Sequence, residues 1–346
     1  MYDSGGKPAR HGALRPRNWL AKLPLRDRDY AARTANQPGS QAALPSLQAR
    51  LLARALRRLI KPRQVSLADI PLIRALMAML TRSRLPADVT ATRVRWPVAG
   101  EWLHPPQPRR GRALLYLHGG GFICGNPRTH RAITARLATL LQVSVFVPDY
   151  PLAPEHPFPA APDSVLVAWR WLLDQSFRSD RLLLAGDSAG GGLALTLMQD
   201  CRQLGLPLPA AVALFSPWTD LTCSGPALQQ NAERCAWFSP QQLHFAARLY
   251  AGSADPAGAR LSPLHGDLSG LPPLQLHVSD SELLRDDSLR LAERAAAAGT
   301  AVKLTVWHGL PHAWPNFAGL MPEADACLAQ AAAALAGTPV RAAPAA

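Results

Sequence analysis

No run of apolar residues in this chain approaches the roughly eighteen needed to span a membrane as a helix, so stable membrane insertion is not expected. The first thirty residues, Met1 to Tyr30, carry charge and lack the apolar core of a secretory signal. Cysteine is scarce: Cys124, Cys201, Cys223, Cys235 and Cys327 are scattered, odd in number and form no CxxC pair. That spacing excludes a disulfide framework and a structural zinc site, so no metal is expected, and a reduced, cytoplasmic setting is. Acidic residues are also short, 24 Asp and Glu against 37 Lys and Arg, a net charge of +13. The excess is local. Residues 1–70 hold fourteen Lys/Arg and only four Asp, so ten of the thirteen charges lie there. A basic surface for nucleic acid does not follow from such an uneven distribution.

What is present is enough to bury a large core: 346 residues, 48% hydrophobic. Residues 1–43 are rich in Gly, Pro, Arg and Ala with little periodicity and read as a flexible basic extension. Residues 44–86 read as two cap helices. In the first, Leu47, Leu51, Leu52, Leu56, Leu59 and Ile60 form one broad face, with Arg50, Arg54, Arg57, Arg58 and Lys61 largely opposite. Its basic side is read as a solvated face rather than a membrane contact. The second spans about Ser66 to Arg82, with Ser66 as N-cap and Asp69 in the capping-box position.

From residue 87 strands appear: Thr92–Trp96, Glu101–Leu103, 113–117, 143–147, 182–185, 211–215, 274–278 and 302–307. From 113 they alternate with helical segments at 129–141, 162–173, 190–204, 286–298 and 323–336. Such alternation predicts a mostly parallel sheet with helices on both faces. Residues 218–265 break the rhythm and read as an irregular insertion near the site.

The chain is organised around Leu182-Leu183-Leu184-Ala185-Gly186-Asp187-Ser188-Ala189-Gly190. A short apolar run followed by Gly-x-Ser-x-Gly is the pattern of a sharp strand-to-helix turn that lifts a serine clear of a sheet. Three specified positions in five are a weak signal, common in Gly-rich turns. Its partners strengthen it. His118-Gly119-Gly120-Gly121-Phe122 follows the strand 113–117 and offers backbone N–H groups of the kind that hold an oxyanion. Asp280, Glu282, Asp286 and Asp287 follow the strand 274–278, and His308 and His312 follow the strand 302–307. Serine, acid and histidine thus each follow a strand, in that chain order, at the carboxyl ends where a parallel sheet gathers its functional groups.

From about residue 90 onward the chain resembles the hormone-sensitive-lipase-like (family IV bacterial) esterases of the α/β-hydrolase fold. The carriers are His118-Gly119-Gly120-Gly121-Phe122, Asp149-Tyr150 with Leu152 to Ala160, Gly186-Asp187-Ser188-Ala189-Gly190-Gly191, Ser216 to Asp220, and Gly309-x-x-His312. Pro151 departs from the pattern, which usually has Arg after Asp-Tyr. The resemblance implies a serine carboxylic-ester hydrolase with a helical cap formed by residues 44–86 and about 220–260. Against the family's Asp-Pro-Leu-x-Asp pattern, Glu282 takes the catalytic position and Asp286 the structural one. Ser188, Glu282 and His312 are then catalytic, and Gly119, Gly120 and Ala189 donate to the oxyanion. His118, Asp187, Asp286 and His308 are supporting residues, with Asp280 and Asp287 of little weight.

Acyl transfer through Ser188 implies no cofactor, and a small-molecule ester of short acyl chain as substrate. A homodimer is left open. An amide or formamide hydrolase, a deacetylase and a non-catalytic ligand-binding relative are the other readings that the same residues admit.

Overall fold

The computed structural model describes residues 44–61, 65–175 and 177–337, so the expected extension over residues 1–43 lies outside the described residues. Helix α1 spans Leu47–Leu59 and α2 Ile70–Leu80. Eight strands form one sheet: β1 Thr90–Val94, β2 Gly100–His104, β3 Ala113–Leu117, β4 Ser144–Pro148, β5 Leu182–Asp187, β6 Ala211–Phe215, β7 Leu274–Ser279 and β8 Val302–Trp307. Between and after them lie α3 Arg131–Leu141, α4 Ala160–Asp174, α5 Ala189–Gln203, α6 Ala227–Gln230, α7 Pro240–Ala251, α8 Arg285–Ala297 and α9 Pro322–Gly337. Strand order is β1-β2-β4-β3-β5-β6-β7-β8. The first two strands pair antiparallel and the remaining six run parallel.

Every residue of β3, β5 and β6 is buried, as the near-continuous apolar sequences of a sheet covered on both faces require. Leu114, Tyr116, Leu183, Ala185 and Phe215 point into one core with α3 and α9. On the other face α5 packs on β3 and β5, with α4 beside it. All five cysteines are free and buried. Among the described residues no helix is long and apolar enough to cross a membrane.

Three readings of the elements are corrected. The first strand ends at Val94, and Trp96 is exposed, beyond the pairing with β2. Residues 218–265 are not wholly irregular. Ser239 accepts from the Gln242 N–H, Gln242 reaches back to the Ser239 N–H, and Pro240 opens α7 from this capping box. In α1 the buried line is Ala49, Ala53 and Leu56, while Leu47, Leu51 and Leu59 face outward among the arginines. Periodicity identified an amphipathic helix but not the face that packs, because small alanines seat closer to the core than leucines do.

The inner sides of α1 and α2 roof the sheet's carboxyl edge. Arg74 of α2 donates to the Ile123 and Ala153 carbonyls and pairs with Glu155 at 2.7 Å. Lys61 donates to the Ala232 and Glu233 carbonyls, tying the end of α1 to the insertion.

Candidate active site

Five strands deliver the site's residues at one edge of the sheet. Ser188 directly follows β5, with φ 50° and ψ −121°, a left-handed conformation that costs a non-glycine residue energy. Close packing holds it there. A Cβ at Gly186 would lie 2.6 Å from the Gly190 carbonyl oxygen, so only glycine lets the turn close on itself.

His312, on the loop after β8, places Nε2 2.9 Å from Ser188 Oγ. Its Nδ1 lies 2.5 Å from Glu282 Oε2. Glu282 is fully buried, and its Oε1 accepts from the Ser279 N–H at 2.7 Å and the Ser216 hydroxyl at 2.8 Å. Ser216 Oγ also accepts from the Ala313 N–H at 3.3 Å, joining the acid to the histidine loop. Phe238 meets the His312 ring edge-on at 4.9 Å. Glu282, Ser188 and His312 are therefore brought together. The neighbouring carboxylates are elsewhere: Asp280 accepts from the Gly309 N–H and pairs with His308. Asp286 accepts from the Ala227 N–H at 2.6 Å.

Asp287 corrects the expectation that it carries little weight. It is buried and accepts from the N–H groups of Thr219 and Asp220 at 2.7 and 2.9 Å, pinning the start of the insertion to α8. Burial pushes its carboxyl up to about 7 against the pull of Arg290. No local pattern marks such a role, since the partners lie 67 and 68 residues away.

The oxyanion loop requires a second correction. The Gly119 N–H is already taken, by Asp187 Oδ1 at 3.0 Å and His130 Nε2 at 3.2 Å, and is not free to meet an oxyanion. Among the described residues no acceptor takes the N–H of Gly120 or Gly121. Gly120, at φ 119°, packs its Cα against the Cys124 carbonyl with no room for a Cβ. The Ala189 N–H opens α5, where helix-terminal donors and the dipole favour negative charge.

Asp187 is the hub beneath this loop. It accepts from Tyr116 Oη at 2.7 Å, from Gly119, and from Asn316 Nδ2 at 3.3 Å, with His130 Nε2 3.4 Å away. Burial alone would raise its carboxyl, but His130 and the hydrogen bonds outweigh that and hold it below the usual carboxylate range. His118 accordingly braces the loop: its Nδ1 meets the Gly119 carbonyl, its ring stacks on Tyr150 at 4.1 Å, and burial lowers its pKa to about 3. No local sequence pattern marks the roles of Ser216, Asn316 and Asn231, whose partners lie on other elements. Asn231 donates to the carbonyls of Asp280 and Glu282 and fixes the acid's loop.

A cavity of about 200 Å³ lies over Ser188 and His312. Its walls are largely apolar, including Ile73, Leu76 and Leu80 of α2, Trp218 and Phe238, with Cys124 beside the oxyanion loop. Burial pushes the Cys124 thiol up to about 12, so it stays protonated and lines the wall as a small apolar group. Among the described residues no cluster of three or more His, Cys, Asp or Glu is placed to hold a metal ion.

A family model described as the alpha/beta hydrolase fold matches residues 114–316. An acetyl-hydrolase of Streptomyces hygroscopicus is 40% identical over 223 residues, covering 64% of this chain and 74% of its own. Among solved structures, the esterase EstE5 soaked with p-nitrophenyl butyrate superposes with a TM-score of 0.81 at 34% identity, covering 85% of this chain and 99% of its own. An esterase from the bacterial hormone-sensitive lipase family gives 0.80 at 36% identity, covering 86% and 99%. With the fold, the elbow and these likenesses together, the chain belongs to the hormone-sensitive-lipase-like esterases of the α/β-hydrolase fold.

Proposed function

We propose that this protein hydrolyses short-chain carboxylic esters through a Ser188–His312–Glu282 triad and an acyl-enzyme intermediate. The observation that carries the reading is the continuous hydrogen-bonded line from Ser188 Oγ through both nitrogens of His312 to Glu282, at the floor of an apolar cavity. Ser188 Oγ attacks the ester carbonyl carbon while His312 Nε2 takes its proton. Glu282 holds the imidazole in the tautomer with hydrogen on Nδ1 and stabilises the imidazolium. The N–H groups of Gly120, Gly121 and Ala189 receive the oxyanion. His312 then returns the proton to the leaving alkoxide, releasing the alcohol. A water, deprotonated by the same nitrogen, attacks the acyl-enzyme and frees the acid and Ser188.

The short-chain preference is supported by cavity size. At about 200 Å³ it is smaller than the roughly 300–1,000 Å³ of sites that enclose drug-sized ligands. The acetyl-hydrolase and the butyrate-soaked esterase are relatives whose names point the same way. The test is kcat/KM over p-nitrophenyl esters from acetate to laurate, with matching anilides. The expected optimum lies at acetate to hexanoate. An optimum at laurate overturns the chain-length reading, and faster turnover of anilides than of esters overturns the substrate class.

A further inference from the structure

The outer side of the roof over the cavity is as unusual as its inner side. Helix α2, Ile-Pro-Leu-Ile-Arg-Ala-Leu-Met-Ala-Met-Leu, is apolar almost all round, a composition typical of a buried helix. Yet Pro71, Leu72, Ala75, Ala78 and Met79 form one exposed face, and Leu67, in the turn before the helix, is exposed as well. Leu72 is 46% and Met79 63% exposed. The one charged residue of α2, Arg74, points elsewhere, to Glu155. Helix α1 exposes Leu47, Leu51 and Leu59, each more than half accessible, interleaved with Arg50, Arg54 and Arg58. Neither helix contains an Asp or Glu.

Beside this surface Asp69 accepts from the N–H and hydroxyl of Ser66. Apolar side chains and arginines, with no acid inside either helix, form the pattern of a surface that lies in a headgroup layer: the leucines enter the acyl boundary and the guanidinium groups meet phosphates. We propose that the outward faces of α1 and α2 dock this enzyme peripherally on anionic phospholipid surfaces. Charge selects this occupant. Residues 1–43 carry eight Lys/Arg against three Asp, the same sign as the α1 face. A second copy would bring arginine against arginine. An anionic bilayer complements both the charge and the apolar ridge. Helix α2 lines the cavity from within through Ile73, Leu76, Met77 and Leu80, and Ile60, just past the end of α1, joins them, so docking sets the site's roof against the interface.

The test is flotation of the full-length protein with unilamellar vesicles, either phosphatidylcholine alone or an equimolar mixture with phosphatidylglycerol. Wild type is expected to float with the mixed vesicles, to stay behind with phosphatidylcholine, and to be released by high salt. Arg54→Gln/Arg58→Gln should weaken partitioning roughly 30-fold. Leu72→Glu/Met79→Glu should weaken it at least tenfold, which attraction through residues 1–43 alone does not predict. Both variants keep wild-type circular dichroism and turnover of a water-soluble acetate ester, since none of the four side chains reaches the cavity. Flotation of Leu72→Glu/Met79→Glu equal to wild type overturns the proposal. So does a wild-type dimer, seen by light scattering, that this variant dissociates while vesicles bind neither form, because a second copy then covers the face.

Discussion

Ser216 and Glu282, 66 residues apart in sequence, share a buried hydrogen bond of 2.8 Å that occupies Glu282 Oε1 and leaves Oε2 to His312. The two oxygens of the acid therefore have separate tasks: one is anchored by Ser216 and the Ser279 N–H, and the other orients the imidazole. Ser216→Ala should lower kcat about tenfold, the rate equivalent of a hydrogen bond to a charged group at the weak end of its range, because the Ser279 N–H still anchors Oε1, with KM nearly unchanged. Steady-state kinetics on a short-chain ester checks this. Glu282→Gln should be far worse, roughly 10²–10⁴ in kcat, because the charge that stabilises the imidazolium is lost.

Asp187 links β3, the oxyanion loop and the segment after His312 through Tyr116, Gly119 and Asn316. Asp187→Asn keeps the shape but weakens the acceptor that holds Gly119 in place. Loss of a whole oxyanion donor costs roughly 10²–10³ in kcat, so a loosened loop should cost about 10- to 100-fold. The loss should fall on kcat and leave KM little changed. A variant with wild-type kcat would show that the loop is held without the carboxylate.

Asp287→Ala should destabilise the fold by about 2–5 kcal/mol, since two buried N–H groups, those of Thr219 and Asp220, lose their acceptor. Urea unfolding measures this. In the fraction that remains folded, Ser188 and His312 should still turn over substrate.

Burial lowers His118 and His277 to about 3, against 6.5 for the ordinary group. Between those values the unfolded chain binds protons that the folded chain does not, so their contribution to stability is complete above about pH 6.5 and is lost as pH falls toward 3. Asp287, raised to about 7, works in the opposite sense over part of the same window, and the two histidines outweigh it. Denaturant midpoints should therefore fall on acidification from pH 7 to pH 5. His277→Gln should make that slope shallower. Equal slopes in the two proteins would contradict the assignment.

What the sequence disclosed follows the range of the interactions. The elbow was legible because β5, the glycines and Ser188 are contiguous and their strain is local. An acid and a histidine were legible because carboxylates and histidines follow β7 and β8, but four carboxylates and two histidines do so, and only the resemblance to the family's motifs singled out Glu282 and His312. Gly119 was misassigned because its partner, Asp187, is 68 residues away, and nothing next to Gly119 shows which way its N–H points. Ser216 and Asn231 act through hydrogen bonds to the acid's loop from other elements, so their types alone carried no signal. In α1 the leucines suggested the packed face, yet alanines occupy it, because how closely a helix seats depends on what it meets. The α7 capping box, Ser239 with Gln242 behind Pro240, is a local signal that the surrounding turn-forming residues mask.

The central claim is that Ser188 is the nucleophile, and its most direct test is turnover of a short-chain ester by purified Ser188→Ala. The expected result is a wild-type fold by circular dichroism and a kcat lower by roughly 10⁴–10⁶. Turnover within a fewfold of wild type in that folded variant would contradict it.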